Sequence, residues 1–492
     1  MKRMILLLII AALSLSGCSP YSLVPSGNSH NTTVSERGEN IPDPPTSDRD
    51  EDYVRRVALY FVSSDRQQLT PISRTLTVRF DDTLLENIVE RLLGASSSDG
   101  VRGIVPSGTT LLYVEDSCSI ATVNLSFEAA NATSRDLMWM KAAIANSLIG
   151  VNDTNYVQVL INGREQSGML LPTGAMTFTG DSLQALWTRK STEEERFSTS
   201  ADASMVSRDL VLYYPAISGN FLLPEVRSVT FNTADIEKLI IDELSQSPQN
   251  ELCRSAFSEN IQPAAELVTL DDGGRVVSIA FDTDVNELSR VGGFDMWRTL
   301  ASIAFSMCRN IPELDGVVVT IGGEWIFSAS SGDRSADFRD GIMRPDDFGD
   351  AVGDVAKLYF SDGNGSLKAI DRVLPAQNTN SARALIAELI KGPLPGEDCH
   401  SVFPDGVTID DIIGIRIQDQ CALINLTANF YTMCQNLSFV QERGLVYSMV
   451  NTLCEMSGVN RVRFYVNSEV ADTLTDYISI RSELLANPGL VA

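Results

Sequence analysis

The sequence has very few histidines and a large excess of acidic over basic residues. Only His30 and His400 occur among 492 residues, and 64 Asp and Glu outnumber 38 Lys and Arg, which gives a formal net charge of −26. Because such a surface repels nucleic acid and anionic lipid headgroups, we expect no nucleic acid as a partner. The sequence also has no C-x-x-C pair, P-loop or dinucleotide-binding motif. These absences argue against zinc-ribbon, thioredoxin-like and nucleotide-binding domains.

Long apolar runs are missing as well. The nearly continuous apolar stretch Met4–Leu15 follows Lys2 and Arg3 and is shorter than the roughly 20 residues that a membrane-spanning helix needs. It matches the h-region of a secretory signal peptide. The stretch ends in Leu15-Ser16-Gly17-Cys18, which resembles the bacterial lipobox.

We therefore predict that residues 1–17 are a signal peptide and that Cys18 carries a diacylglyceryl thioether and further acylation such as palmitate. Two acyl chains anchor a protein firmly, whereas one chain holds it only marginally. The predicted location is the extracytoplasmic face of the cell membrane, with this lipid as the membrane attachment. An ordinary signal peptide that ends near a cysteine is the alternative. Residues 18–52 are rich in Ser, Pro, Asn and Asp and are predicted to be a disordered tether.

Beyond the tether, three segments repeat one order of elements. They are residues 54–165, 207–328 and 354–469, here called copies one, two and three. Each opens on an apolar strand: Val57–Phe61, Leu210–Tyr214 and Ala356–Phe360. A second extended stretch follows, and then a helix with helical apolar spacing. The predicted helices are Leu84–Leu93, Ile236–Leu244 and Ala384–Ile390. Their predicted N-caps are Asp82 or Thr83, Thr233 and Ser381.

The second half of each copy is a loop, two strands, a second helix and a final strand. The second strand of the pair contains Val123-Asn124-Leu125, Ser278-Ile279-Ala280 and Ile424-Asn425-Leu426. The predicted second helices are Asp136–Ile149, Met296–Cys308 and Phe439–Met456. The final strands start at Val157, Val317 and Val462, and the glutamates that close them are Glu165, Glu324 and Glu469.

The resulting order, β-β-α-β-β-α-β, predicts an α/β (α+β) fold of three tandem small domains. In each domain we expect one mixed sheet with both helices packed on it. Residues 166–206 and the acidic stretch 329–353 are predicted to be linkers, although Leu183–Trp187 has the pattern of a short helix. The tail 470–492 has weak helical character.

These features resemble the GerMN domain, the unit of the GerM spore-germination lipoproteins. The resemblance rests on the opening Leu-Tyr-Phe strand, the helix ending in Leu389-Ile390-Lys391-Gly392-Pro393, the Pro-x-Gly loop and the strand with Ile424-Asn425-Leu426. Copy three matches best. Copy one has its loop at Pro106-Ser107-Gly108 and copy three at Pro404-Asp405-Gly406, whereas copy two lacks it. The resemblance implies a role outside the membrane in sporulation or germination, in assemblies related to ring-building domains.

The sequence offers little catalytic chemistry. A Ser-His-Asp or Cys-His site at His400 lacks a nucleophile motif such as G-x-S-x-G, and copies one and two have no corresponding histidine. An exposed loop histidine is the better interpretation. We predict no catalytic residue, no cofactor and no enzyme activity.

The remaining cysteines are predicted to be mostly packing residues. Cys308 and Cys454 fall at the helix position that is Leu148 in copy one, and Cys118 and Cys421 are predicted to start equivalent strands. Disulfides remain open, for example Cys253 with Cys308 or Cys399 with Cys421, because an exported protein can form them. The full set without an assigned pairing is Cys118, Cys253, Cys308, Cys399, Cys421, Cys434 and Cys454.

Two acidic stretches invite a calcium interpretation. Asp362-Gly363-Asn364-Gly365-Ser366 imitates an EF-hand start, but its twelfth position is Val373 instead of the required Glu. A hairpin turn is the simpler prediction there, and likewise at Asp271-Asp272-Gly273-Gly274. The acidic residues of 333–354 are predicted to be solvated. We expect no metal site.

Three functions follow from these observations. The leading hypothesis is a lipid-anchored envelope protein whose GerMN-like domains bind other envelope proteins or self-assemble in a sporulation or germination complex. The alternative is a lipoprotein that captures a solute or cell-wall fragment in a cleft between domains. A hydrolase is third.

Overall fold

The computed structural model describes residues 33–34, 40–48, 53–63, 68–78, 83–95, 105–166, 174–179, 205–232, 236–283 and 295–492. The predictions for Cys18, His30, Asp82, Leu183–Trp187 and Thr233 fall outside these ranges. The chain forms two compact units, residues 1–43 and 44–492. Within the described ranges, every helix is too short or too polar to cross a membrane.

The predicted tether is not wholly disordered. Two short strands, β1 (Thr33–Val34) and β2 (Asn40–Ile41), pair antiparallel in the first unit. In the second unit, Pro45 is buried. Polar groups of residues 44–48 bond to copy three, which offsets the entropy of ordering this Pro-rich segment.

Copy one has the predicted order of elements. Its first half contains β3 (Tyr53–Val62), β4 (Leu69–Val78) and α1 (Leu84–Leu93). Its second half contains β5 (Leu111–Ser117), β6 (Ile120–Leu125), α2 (Ser134–Leu148) and β7 (Tyr156–Ile161). Thr83, one of the two predicted alternatives, caps α1, and it forms a capping box with Glu86.

Copy two follows the same order. It begins with β8 (Met205–Pro215), β9 (Leu222–Asn232) and α3 (Ile236–Ser245). It continues with β10 (Ala264–Thr269), β11 (Arg275–Phe281), α4 (Met296–Asn310) and β12 (Gly316–Ile321). Four short strands come after β12: β13 (Glu324–Trp325), β14 (Ser328–Ser331), β15 (Arg334–Asp337) and β16 (Ile342–Met343).

Copy three adds two short helices to the plan. Its first half is β17 (Gly353–Ser361), β18 (Leu367–Pro375), α5 (Ala376–Thr379) and α6 (Ala382–Lys391). Its second half is β19 (Ile412–Gln418), β20 (Cys421–Leu426), α7 (Ala428–Cys434), α8 (Phe439–Cys454), β21 (Arg461–Val466) and β22 (Leu484–Leu485). Ser381 caps α6, as predicted.

The prediction of one sheet per copy is wrong in detail. In each copy the first two strands form a separate two-stranded hairpin, and the next three form a mixed sheet, to which short further strands add in copies two and three. Of these three strands, the first two are antiparallel and the third runs parallel to the second, as β19, β20 and β21 show. The mixed α/β fold and its threefold repetition are nevertheless confirmed.

Side chains of the second helix explain why the hairpin needs no further strand. The backbone N–H of Tyr213 donates to Ser306 Oγ at 2.9 Å, and Ser302 Oγ donates to the Tyr213 carbonyl at 2.6 Å. In the other copies the corresponding amides donate to Ser147 Oγ at 2.8 Å and to Thr452 Oγ1 at 3.2 Å. Helix hydroxyls therefore satisfy backbone groups that a neighbouring strand would otherwise pair.

These bonds also correct the alignment of the helices. Because Ser147, Ser306 and Thr452 are equivalent, Cys308 and Cys454 match Ile149 and not Leu148. The strand register similarly shifts the copy-two triplet by one residue. Asn124 pairs with Leu160, and Ala280 pairs with Thr320 at the same register. The copy-two equivalent of Val123-Asn124-Leu125 is therefore Ile279-Ala280-Phe281.

A segment that follows the final strand returns to pair with it in every copy. Val157 bridges to Met176, Val317 pairs with Met343, and Val462 pairs with Leu484, each antiparallel. The sequence did not reveal this feature, because the paired parts of these returning segments are only one or two residues long. They cover a sheet edge that would otherwise expose unpaired backbone groups.

Two predicted excursions therefore belong to the packed structure. Residues 329–353 are not a solvated linker, since Phe338, Met343 and Phe348 are buried in the core of copy two. The tail is not helical either, apart from the single 3-10 turn Pro488–Leu490. Leu474 and Ile480 are buried in the core of copy three. Apolar side chains at wide spacing, which periodicity does not detect, hold both segments.

Glu442, in the first turn of α8, fastens this tail. Its side chain is fully buried and accepts backbone N–H groups of Leu474 and Thr475 at 3.0 and 2.9 Å on one oxygen. Its other oxygen accepts the N–H groups of Tyr477 and Ile478 at 3.0 and 3.2 Å and the Thr475 hydroxyl. Five donors converge on one carboxylate, so the buried charge is fully solvated by protein groups.

We predict that Glu442→Gln destabilises copy three by about 2 to 3 kcal/mol, because an amide is uncharged and turns a donor toward other donors. Amide hydrogen exchange at Thr475 and Tyr477 should accelerate accordingly. The exposed Glu469→Gln is the matched control and should stay within about 0.5 kcal/mol. Equal exchange in both variants would contradict this role for Glu442.

Candidate functional site: the junctions between the three copies

The polar residues that recur in all copies stabilise the fold. Arg372 lies on the second hairpin strand, 3% exposed, and donates to the Gly392 carbonyl at 3.1 Å and to Glu388 and Glu397. Its equivalent Arg227 bonds Ser247 O and Glu243 in the same way. By strand register, Arg74 holds this position in copy one. An arginine at this point caps the carbonyl end of the first helix, a role that the sequence analysis missed.

The Pro-x-Gly loop is a structural turn as well. Thr109 N–H donates to the Pro106 carbonyl and Val407 N–H to the Pro404 carbonyl, at 3.2 and 3.3 Å. Gly108 and Gly406 have φ of 89° and 91°, values that favour glycine at the third position of such a turn.

His400 lies in an exposed loop, as predicted. Its backbone forms an antiparallel bridge with Ser361, and its ring packs beside Gly363. Asp362 Oδ1 accepts the N–H groups of Asn364 and Ser366, both at 2.8 Å. These backbone bonds lower the pKa of Asp362. The motif is therefore the predicted hairpin turn.

The seven cysteines within the described residues are free. Cys118 does not start a strand, because it and Ser119 form the left-handed two-residue turn before β6. The equivalent of Cys421 is Ile120, the first residue of β6. Burial raises the pKa of Cys118, Cys253 and Cys421 to about 12, which keeps these thiols protonated and unreactive at neutral pH.

The acidic residues of 333–354 do not converge. Within the described ranges, no group of three or more His, Cys, Asp or Glu side chains is placed to hold a metal ion. Asp354 instead joins a contact between copies one and three.

The junction of copies one and two contains a buried ion pair. Lys141 and Glu165 have side chains 1% and 0% exposed, and Lys141 Nζ donates to Glu165 Oε1. Gln158 Nε2 donates both to Glu165 Oε2 at 3.3 Å and, across the junction, to the Arg309 carbonyl at 2.5 Å. Ile161 bridges to Arg164 as Val466 bridges to Glu469. The equivalent of Glu469 in copy one is therefore Arg164, and Glu165 lies one position beyond it.

Further contacts fix these two copies in one relative position. Glu313 N–H donates to the Glu165 carbonyl at 2.9 Å, and Arg164 pairs with Asp315 at 2.6 Å. Ile120 of copy one is 3% exposed and belongs to the hydrophobic core of copy two. Apolar burial and directional polar bonds therefore act at the same surface.

Copy three contacts copy one through the turn before β6. Ser117 Oγ donates to the Gly353 carbonyl at 2.7 Å, and Cys118 N–H donates to Asp354 Oδ1 at 2.9 Å. Asp354 Oδ2 accepts from Thr379 Oγ1 at 2.9 Å. Burial, and then the neighbouring carboxylates of Asp354 and Asp153, raise the pKa of Asp116 to about 7.

Copies two and three meet without a linker. Val352 forms a parallel bridge with Leu222 of copy two, while the next residue, Gly353, pairs with Pro375 of copy three. A Cβ at Gly353 would lie 2.8 Å from Val373 Cγ1 and 2.9 Å from Phe221 Cβ. Only glycine therefore fits at position 353, where the chain passes from copy two to copy three.

One known family matches two segments of this chain. The family model described as "Germane: Sporulation and spore germination" matches residues 58–167 and 357–472, which overlap copies one and three. The chain is thus similar to Germane-family proteins over these two segments. The matched family is linked to sporulation and spore germination and is not an enzyme family.

Solved structures give a weaker likeness. The tandem GerMN domains of the sporulation protein GerM from Bacillus subtilis are 17% identical, with 59% of this chain and 99% of that chain covered and a TM-score of 0.24. The first GerMN domain of the same protein is 20% identical, with 26% and 96% covered and a TM-score of 0.20. At these values the likenesses carry no argument about function. No curated protein matches the chain.

Copy two lies outside the matched residues although it repeats the same elements. It has Ala280 where copies one and three have Asn124 and Asn425, and it lacks the Pro-x-Gly turn. Its distinguishing residues include Arg309 and Asp315, which bond to Gln158 and Arg164 of copy one.

We predict that Lys141→Met destabilises the protein by about 3 to 5 kcal/mol, because Glu165 would stay buried without its partner. The double variant Lys141→Met/Glu165→Leu should recover most of that loss. Replacing Arg481 by Met breaks an exposed pair with Asp472 and should cost at most about 1 kcal/mol. Denaturant unfolding measures all three, and equal losses in the single and double variants would refute the ion-pair assignment.

Asp116 predicts a pH dependence of the junction between copies one and three. Since its pKa is raised in the folded state, folding favours its protonated form, and stability falls as pH rises from about 4 to about 7. Because one group is involved, the unfolding free energy cannot fall by more than about 1.4 kcal/mol per pH unit. The melting temperature of Asp116→Asn should not show this decline between about pH 4 and pH 7, whereas that of the exposed control Asp405→Asn should show it. A parallel pH profile for Asp116→Asn would count against the assignment.

Proposed function

We propose that this protein is a lipid-anchored extracytoplasmic scaffold whose GerMN-like domains act in protein assembly within a sporulation or germination complex. The observation that carries the proposal is that three copies of one domain are joined by buried junctions. The recurring polar residues, such as Arg227 and Arg372, bind backbone carbonyls and neighbouring carboxylates of their own domain. A repeated catalytic unit would repeat its reactive group, and the described copies repeat structural groups instead.

The expected partners are other envelope proteins or further copies of this chain. The net charge of −26 disfavours nucleic acid, and membrane attachment is proposed to be the lipid on Cys18. Contacts within the chain, such as Gln158 to Arg309 and Ser117 to Gly353, offset the entropy that is lost when the three domains are ordered relative to one another. A preorganised surface loses less entropy when it binds a partner.

Solute capture is the second candidate, and one observation favours it. Copy two has an open polar recess of about 370 Å³. Its lining residues are Ser245, Ser247, Arg254, Ser255, Ser258, Glu259 and Asn260. The recess lies within copy two, whereas the solute-capture hypothesis expected a cleft between domains. A thermal shift on addition of cell-wall fragments, abolished by Arg254→Ala, would favour this function over assembly.

The anchor is tested by Cys18→Ser. We expect the wild type to incorporate labelled palmitate and to sediment with membranes, and the variant to do neither, because serine cannot form the thioether. Cys118→Ser is the control and should behave like the wild type. Membrane sedimentation of Cys18→Ser at the wild-type level would contradict the proposed attachment.

Assembly is tested by cross-linking intact cells that express a tagged chain. We expect either a discrete envelope partner or a ladder of oligomers, and we expect deletion of the gene to reduce spore yield or germination more than vegetative growth. Only monomers at high concentration, together with normal spore yield and germination, would overturn the proposal.

A further inference from the structure

Residues 44–48, which precede copy one in the chain, lie against the edge of copy three. Pro45 is buried, although the segment belongs to a Pro-rich stretch with few apolar residues. The contact is made at β19, whose pairing with β20 is irregular between Ile412 and Gly414. Such a bulge leaves backbone groups turned away from the ladder, where another segment can bond to them.

Gly414 makes room for the segment. A Cβ at this residue would lie 2.6 Å from the Ser47 carbonyl oxygen and 2.8 Å from its carbonyl carbon and amide nitrogen. The two backbones are therefore in direct contact, and any larger residue would force them apart. This glycine is specific to copy three, because strand register places Tyr113 and Ala264 at the equivalent positions.

Asn425 supplies a buried amide for the segment. It is 0% exposed, and its Nδ2 donates to the Pro45 carbonyl at 2.8 Å and to Ser468 Oγ at 2.9 Å. Its Oδ1 accepts the Ser468 N–H at 2.9 Å. The segment thus supplies the protein acceptor for one of the two amide donors of Asn425. Copy two has Ala280 here and offers no such group.

Asp48 is bound through both carboxylate oxygens. The Ile415 N–H donates to Asp48 Oδ1 at 3.0 Å, and Arg383 Nε donates to Asp48 Oδ2. The guanidinium is itself held by the carbonyls of Ile409 and Ile412, each at 2.9 Å. Arg383 is therefore oriented toward this position by its own domain, and an acidic side chain is the group that it selects.

We propose that this edge of copy three is a binding site for a short acidic peptide segment, and that residues 44–48 occupy it as a strap from the same chain. The site combines a backbone donor, a buried amide, an oriented guanidinium and a glycine that admits a second backbone. Each hydrogen bond to the strap involves a side chain, so the strap docks at the strand edge without adding a strand to the sheet. The strap joins the start of copy one to copy three, which are distant in the chain.

The experiment uses the full chain in detergent and a labelled peptide with the sequence of residues 41–49. In the wild type, the tethered strap outcompetes added peptide because its effective concentration is high. We expect Asp48→Ala to accelerate hydrogen exchange at the Ile415 amide and to increase peptide affinity, measured by fluorescence anisotropy, at least tenfold over the wild type. Asp405→Ala, an exposed acid in the same copy, is the matched control and should bind peptide like the wild type.

Specificity is tested in the Asp48→Ala background. Adding Arg383→Met, or changing the peptide's own aspartate that corresponds to Asp48 to asparagine, should lower peptide affinity at least tenfold. Exchange at Thr475, which lies elsewhere in copy three, reports whether each variant keeps its fold. Unchanged protection of Ile415 in Asp48→Ala overturns the proposal. So does a failure of the peptide to bind the folded variant, or binding that ignores Arg383.

Discussion

The bond between helix hydroxyls and the first hairpin strand is the constraint on which each copy depends. Tyr213 is held at both its amide and its carbonyl by Ser306 and Ser302 of α4, so β8 docks on a helix instead of joining a larger sheet. This docking fixes the hairpin and thereby the arginine on its second strand. Arg227 can then cap the first helix. Hairpin, second helix and first helix are thus positioned in sequence by directional bonds, while burial of apolar side chains provides the driving force.

The same three copies differ where they meet. Lys141 and Glu165 are a buried ion pair in copy one, and Glu165 also accepts from Gln158, whose amide reaches the Arg309 carbonyl of copy two. Gly353 and Ser117 set the approach of copy three. Repetition has therefore preserved the groups that build a domain, and divergence has supplied the groups that place the domains against one another.

The order of elements and the helix caps at Thr83 and Ser381 were predictable, because periodicity and capping are local properties. The separate hairpin was not, since the hydroxyl of Ser306 bonds a strand 93 residues away. The segment 329–353 looked like a linker because its acidic surface residues outnumber the few aromatic residues that anchor it. Burial of Glu165 and Glu442 also escaped prediction, because their partners come from distant segments. Side chains that find their partners in distant segments produce no regular spacing in the sequence from which the contact could be predicted.

The crossing at Val352 and Gly353 has a mechanical consequence. One residue is bonded to the hairpin of copy two and the next to the hairpin of copy three, so the covalent chain has no slack between them. Tension or torque applied to one of these copies passes to the other through adjacent peptide bonds, without first straightening a flexible link. The two copies consequently respond to load as one body, and their relative orientation survives forces that would reorient domains joined by a loose linker.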